Sequence, residues 1–132
     1  MFTLDSRLEN DTLFIANLKL SRLLLMNDSN FIWLILVPQK ENLTELTDLD
    51  FSEQTELLKE INLLAKILKK NFPCDKLNIA TLGNVVSQLH IHIIARRKDD
   101  AAFPKPVWGN SVFKPYEKER AQNLIIKIQS FL

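Results

Sequence analysis

The two histidines of this chain, His90 and His92, stand two residues apart, and Gln88 precedes them by the same step. On an extended strand, side chains at i and i+2 share a face, about 6.5–7 Å apart. The spacing therefore sets a carboxamide and two imidazoles side by side, with Leu89, Ile91 and Ile93 on the opposite, packing face. If the alternation persists, Arg96 lies on the polar face near the strand's exit. The polar triplet is expected to face a cleft or solvent. An imidazole with an ordinary pKa near 6.5 is mostly neutral at pH 7 and is a competent nucleophile toward phosphorus. A second imidazole and an amide beside it can hydrogen-bond phosphate oxygens as charge develops. The chemistry that fits is phosphoryl or nucleotidyl transfer, in which a ring nitrogen forms a phosphoramidate that water then releases.

Two other readings compete. Paired histidines can simply stand on a wet surface, and His-x-His is also a common metal-ligand spacing. A strand-borne metal site needs further ligands, whereas here the chain continues Ile93-Ile94-Ala95-Arg96-Arg97. A cation at Arg96 would also disfavour a dication. No metal and no other cofactor is expected.

The elements that must position these side chains are legible from composition and pattern. With 132 residues, 46% hydrophobic and 25% charged, the chain is expected to form one domain, residues 1–132, around a single core. Seventeen Lys and Arg against sixteen Asp and Glu give a net charge of +1, so no bulk positive field points to nucleic acid or an anionic membrane. The longest apolar run, residues 31–38, is far below the roughly 20 residues of a membrane helix. No basic and apolar leader pattern opens the chain. The lone Cys74 cannot form an internal disulfide, and a reducing cytoplasm is the expected setting. Only two glycines, Gly83 and Gly109, are present, which excludes functions built on a glycine-rich phosphate loop.

Residues 13–18 and 21–26 read as strands, the first preceded by a turn at Glu9-Asn10-Asp11. The turn residues Asn27-Asp28-Ser29-Asn30 then lead to an apolar strand from Phe31 to Val37, ended by Pro38. Asp50 with Glu53 resembles a capping box for a helix over 50–71. Its apolar face carries Leu57, Leu58, Ile61, Leu64, Ala65 and Leu68, with Glu56, Lys59, Glu60 and Lys66 between them. Strands at 76–82 and 88–94 follow, joined by a loop at 83–87. An irregular stretch from Lys98 to Lys114 precedes a C-terminal helix that starts at Pro115 and is lined by Leu124, Ile125 and Ile128. This order implies an α+β fold with a mainly antiparallel sheet of about five strands, a long connecting helix and a C-terminal helix.

The ordered set Leu34-Ile35-Leu36-Val37-Pro38, then a helix, then Gly83-Asn84, then Gln88-Leu89-His90-Ile91-His92-Ile93-Ile94 resembles the histidine triad (HIT) family over about residues 12–97. The resemblance implies the HIT fold and a nucleotide hydrolase or transferase, usually a homodimer, working through a nucleotidyl-histidine intermediate. It assigns the nucleophile to His90 and the supporting third member to His92. Gln88 replaces the first histidine and cannot carry a proton at neutral pH, a Gln-type pattern similar to proteins related to diadenosine polyphosphate hydrolases. Gly83 and Asn84 fall in the family's phosphate loop, while Val85 stands where a phosphate-binding hydroxyl is common. Asn27 or Asp28 falls where ribose hydroxyls find an acceptor, and Asn78 faces the nucleotide or bonds backbone.

Trp33 is expected in the core. Trp108 either roofs the site or pins its loop, with pinning favoured. Arg96 is the better phosphate contact of Arg96, Arg97 and Lys98, and Cys74 is expected to be inert. The expected activity is cleavage at a nucleotide's α-phosphorus. The alternative is a nucleotide-binding module with little catalysis, since Gln88 and Val85 both depart from the active pattern.

Overall fold

The computed structural model describes residues 1–132. Strands β1 (Thr12–Asn17), β2 (Ser21–Met26), β3 (Ile32–Pro38), β4 (Lys76–Ala80) and β5 (Ile91–Arg96) form one sheet in the order β1-β2-β3-β5-β4, with every adjacent pair antiparallel. Helices α1 (Ser6–Asp11), α2 (Phe51–Asn71) and α3 (Lys118–Gln129), with a 3-10 turn at Leu46–Asp48, complete the α+β fold. The class, the five strands and the two longer helices match the pattern reading.

Helix α2 starts where its cap dictates. The Asp50 carboxylate accepts from the Glu53 amide at 2.8 Å, and Glu53 Oε1 accepts from the Asp50 amide at 2.9 Å, which satisfies two donors that a helix start leaves free. Lys69 and Lys70 sit in its last turn, at the negative end of the dipole. Leu57, Leu64, Ile67 and Leu68 bury the inner face. One member of the expected stripe and one charged residue beside it depart from that pattern. Leu58 is exposed, one step off that ridge. Glu60, placed by its charge between the apolar residues, is buried: its Oε2 accepts from the Leu20 amide at 2.8 Å and ties mid-helix to the β1–β2 turn.

Both faces of the sheet are covered, which explains the unbroken apolar run of β3. Leu23, Leu25, Leu34, Leu36, Ile91, Ile93 and Ala95 face α2 and Ile128 of α3. On the other face, Leu24, Met26, Trp33, Ile35, Val37 and Ile94 pack under Leu8 of α1 and under Ala102 and Val107 of the loop after β5. Strand β3 lies mid-sheet with β2 and β5 on its two sides, so the Phe31–Val37 strand has no free edge for a second subunit. The free edges are β1 and β4.

Three boundaries differ from the sequence reading by three residues or more. Glu9, Asn10 and Asp11 end a short helix rather than form a turn, because the Asp5 side chain caps it by accepting from Arg7 N at 2.8 Å and Leu8 is buried beneath. Strand β5 begins at Ile91, so residues 88–90 lead into it. Helix α3 begins at Lys118, after the Tyr116 amide has bonded the Asn27 side chain.

Candidate active site

His90 and His92 are brought together at the start of β5. Their ring centroids are 4.8 Å apart and the planes meet at 73°. Neither ring lies openly in solvent; they are 6% and 4% exposed. The His90 Nδ1 is 2.7 Å from the Gln88 carbonyl oxygen. A carbonyl only accepts, so the neutral ring carries its proton on Nδ1 and its lone pair on Nε2. The His92 Nδ1 is 2.9 Å from Trp33 Nε1. An indole only donates, so here Nδ1 holds the lone pair and Nε2 carries the proton. Neither Nε2 has a partner within the protein, and neither is sealed from solvent. The site thus presents one ring lone pair and one ring N–H.

Burial, and second the positive charge that a protonated His90 would place beside it, push the His92 pKa from the usual 6.5 down to about 3. The burial comes from an aromatic wall. Trp33 meets His92 at 5.7 Å between centroids, and Trp108 meets it edge to face at 4.9 Å. The two indoles are 5.6 Å apart, and Phe113 stacks on Trp33 at 6.3 Å. Trp108 therefore pins its loop and touches the site with the same contacts. Trp33 is core, as expected, and also the hydrogen-bond partner of His92.

The Gln88 side chain is committed to the N-terminal segment rather than left open to a phosphate. Its Oε1 accepts from the Asp5 amide and its Nε2 donates to the Thr3 carbonyl, both at 2.8 Å. Leu89 is buried with Ile91 and Ile93 on the opposite face, so the alternation runs back past the start of β5. The Gln88 amide latches the N-terminal segment, whose Phe2 and Leu4 pack on the face that holds Trp33.

Arg96 does lie in phase with His92, but the loop after β5 covers that end of the face, so Arg96 is an anchor and not an open phosphate contact. It is 2% exposed and makes four hydrogen bonds: to both Asp100 oxygens at 2.8 and 3.0 Å, to Asn78 Oδ1 at 2.8 Å and to the Lys105 carbonyl at 2.8 Å. Asn78 is thereby committed to Arg96. Although burial alone would raise the Asp100 pKa, the Arg96 hydrogen bond and the amides of Ala102, Arg97 and Phe103 hold its carboxyl well below the usual range. The remaining cations proposed from this run are exposed, with Arg97 3.5 Å from Asp99.

The loop before the histidines turns at Gly83, whose φ of 84° suits a residue without Cβ. The next side chain, Asn84, is exposed and makes no hydrogen bond within the protein. Val85 is 76% exposed. Of the two turn residues, Asn27 gives its Oδ1 to the Tyr116 amide at 2.9 Å. Asp28 uses Oδ1 for the Asn30 amide at 3.1 Å and the Asn30 side chain at 2.9 Å, leaving Oδ2 without a protein partner. No three His, Cys, Asp or Glu side chains gather where they could hold a metal ion. Burial raises the Cys74 pKa while nearby Lys69 lowers it less, which fits an unreactive thiol.

The HIT domain family model matches residues 7–99. A solved histidine triad protein from Bradyrhizobium japonicum is 46% identical, with a TM-score of 0.95 over 98% of this chain and 96% of that one. A histidine triad protein from Marinobacter aquaeolei is 40% identical, with a TM-score of 0.97 over 100% and 96% of the two chains. At 20% identity, a diadenosine triphosphate hydrolase from Plasmodium falciparum shares the fold, with a TM-score of 0.59 over 97% of this chain and 78% of that one. No significant match was found among proteins of curated function. The fold, the paired imidazoles and these matches agree: the chain belongs to the histidine triad family. No helix is long and apolar enough to cross a membrane.

Proposed function

We propose that this protein hydrolyses or transfers nucleotides at the α-phosphorus through a nucleotidyl-His90 intermediate. The observation that carries the reading is the pair of opposed ring nitrogens, a lone pair on His90 Nε2 beside an N–H on His92 Nε2. His90 Nε2 attacks phosphorus as the bond to the leaving group breaks, and the leaving group departs with the electron pair and takes a proton from solvent. The ring, protonated at Nδ1, stays bonded to the Gln88 carbonyl while carrying the nucleotide. Water then attacks phosphorus, gives its proton to solvent, releases the nucleoside monophosphate and returns the P–N electron pair to Nε2. His92 Nε2–H donates to a non-bridging oxygen, where charge builds. Asn84 adds a loop contact beside Gly83. Asp28 Oδ2 is the acceptor for ribose hydroxyls, since Asn27 is taken by Tyr116.

Dinucleoside polyphosphates and nucleoside phosphoramidates are the substrate classes, and no metal takes part. A second copy is proposed to join at β4, whose outer edge has no strand partner. A cytoplasmic setting fits the single free thiol. The experiment is turnover of a fluorogenic nucleoside phosphoramidate and of a dinucleoside polyphosphate. His90→Ala should abolish both, and equal turnover in that variant overturns the nucleophile assignment. One observation favours a second reading, a nucleotide-binding module with little catalysis. The Gln88 amide is taken up by Thr3 and Asp5, so position 88 supplies no proton to a leaving group. Binding of AMP or GMP without turnover of either substrate class would select it.

A further inference from the structure

We propose that Trp33 is a positioning residue that holds His92 in one tautomer, so that its Nε2 is a permanent hydrogen-bond donor to the site. A neutral imidazole is free to carry its proton on either nitrogen, and its neighbours decide which. Trp33 offers His92 a partner that only donates. Facing that indole N–H at 2.9 Å, His92 Nδ1 cannot carry a hydrogen, which excludes both the Nδ1–H tautomer and the imidazolium. The choice of partner matters, because a carbonyl in the same place would impose the opposite tautomer. That is the arrangement at His90, where the Gln88 carbonyl faces Nδ1.

The indole is fixed independently of His92. Trp33 is 2% exposed, sits mid-sheet between β2 and β5, meets Phe31 and Trp108 edge to face and stacks on Phe113. The strand register sets the aim: Trp33 lies opposite Ile94 and Ile35 opposite His92, which makes Trp33 and His92 diagonal neighbours on one face. The surroundings hold the ring neutral as well. His90 is the one titratable group acting on it, and Asp100 of the covering loop is committed to Arg96 and to three backbone amides. The role rests on the proposed nucleotidyl transfer, in which a fixed donor faces the phosphate.

The test uses the full chain with 15N-labelled histidine, in which only two rings report and His90→Gln identifies the second. In the wild type, His92 should show an unprotonated Nδ1 and a protonated Nε2, unchanged from pH 8 to pH 5. Trp33→Phe removes the donor. The tautomers should then mix, and kcat should fall about tenfold with KM little changed. As a second variant in case Trp33→Phe folds poorly, a benzothienyl analogue at position 33 keeps the ring shape without the N–H and should give the same NMR result. A wild-type His92 protonated on Nδ1, or an analogue that keeps the wild-type tautomer, overturns the proposal. The NMR readout is independent of turnover, so a protein with the expected tautomer and no hydrolysis would refute the proposed reaction and leave the Trp33 assignment standing.

Discussion

His90 and His92 sit 4.8 Å apart between ring centroids and carry opposite tautomers, because a carbonyl faces one Nδ1 and an indole N–H faces the other. Two chemically identical side chains thereby acquire different roles, one a lone pair and the other a donor, without a charged group between them. The division comes from backbone and packing: residue 88 contributes its carbonyl, and strand β3 contributes Trp33.

His92→Gln keeps a side-chain donor but not its fixed aim. Loss of a preorganised donor to developing charge costs about 10²–10³-fold in kcat. Steady-state kinetics on a nucleoside phosphoramidate should show a fall in that range, with KM changed much less.

Stability should respond to acid through His92 before carboxylates matter. The folded pKa is about 3 and the unfolded ring titrates near 6.5, so between those values the unfolded state binds the extra proton. Stability therefore falls as pH drops below about 6.5, by about 1.4 kcal/mol per pH unit from this ring alone. Urea denaturation at a series of pH values should show this slope between pH 6.5 and 4.5, and His92→Phe should flatten it.

Arg96 and Asp100 are predicted to anchor the loop that carries Trp108. Removing one partner of a buried pair leaves the other charge unmatched, at a cost of about 3–5 kcal/mol. Asp100→Asn and Arg96→Met should each lower the denaturation midpoint accordingly. Because the Asp100 pKa is depressed in the folded state, its contribution is present above about pH 4, the unfolded value, and is lost as pH falls through the lower folded value.

Gln88→Ala should release the N-terminal segment rather than remove a phosphate contact. Two hydrogen bonds to backbone are lost, worth about 1–3 kcal/mol together. Hydrogen exchange at the Asp5 amide should accelerate, while kcat falls less than in His92→Gln. A larger loss of kcat than in His92→Gln would return Gln88 to the phosphate.

Much of this architecture was legible because local rules agreed with the final packing. The Asp50–Glu53 box, the apolar run of β3 and the His90–His92 spacing each carried their own signal. What was not legible depended on pairing between distant segments. Alternation placed Arg96 on the histidines' face correctly, but nothing local shows that residues 98–110 fold back over that end of it. The commitment of the Gln88 amide to Thr3 and Asp5 joins segments more than 80 residues apart, and no local pattern shows it. The Trp33–His92 bond appears only once β3 is known to pair with β5 in this register. The charge of Glu60 suggests solvation, and only the distant Leu20 and Ser21 amides give its buried carboxylate partners.

The central claim, a covalent bond between His90 Nε2 and the nucleotide's α-phosphorus, is tested most directly by intact-protein and peptide mass spectrometry after rapid quenching at alkaline pH during turnover of a nucleoside phosphoramidate. The account predicts an adduct of one nucleoside monophosphate on the peptide bearing His90. It should form and decay as fast as the enzyme turns over and be absent from His90→Ala. Turnover without any such adduct, sustained equally by His90→Ala, would contradict it.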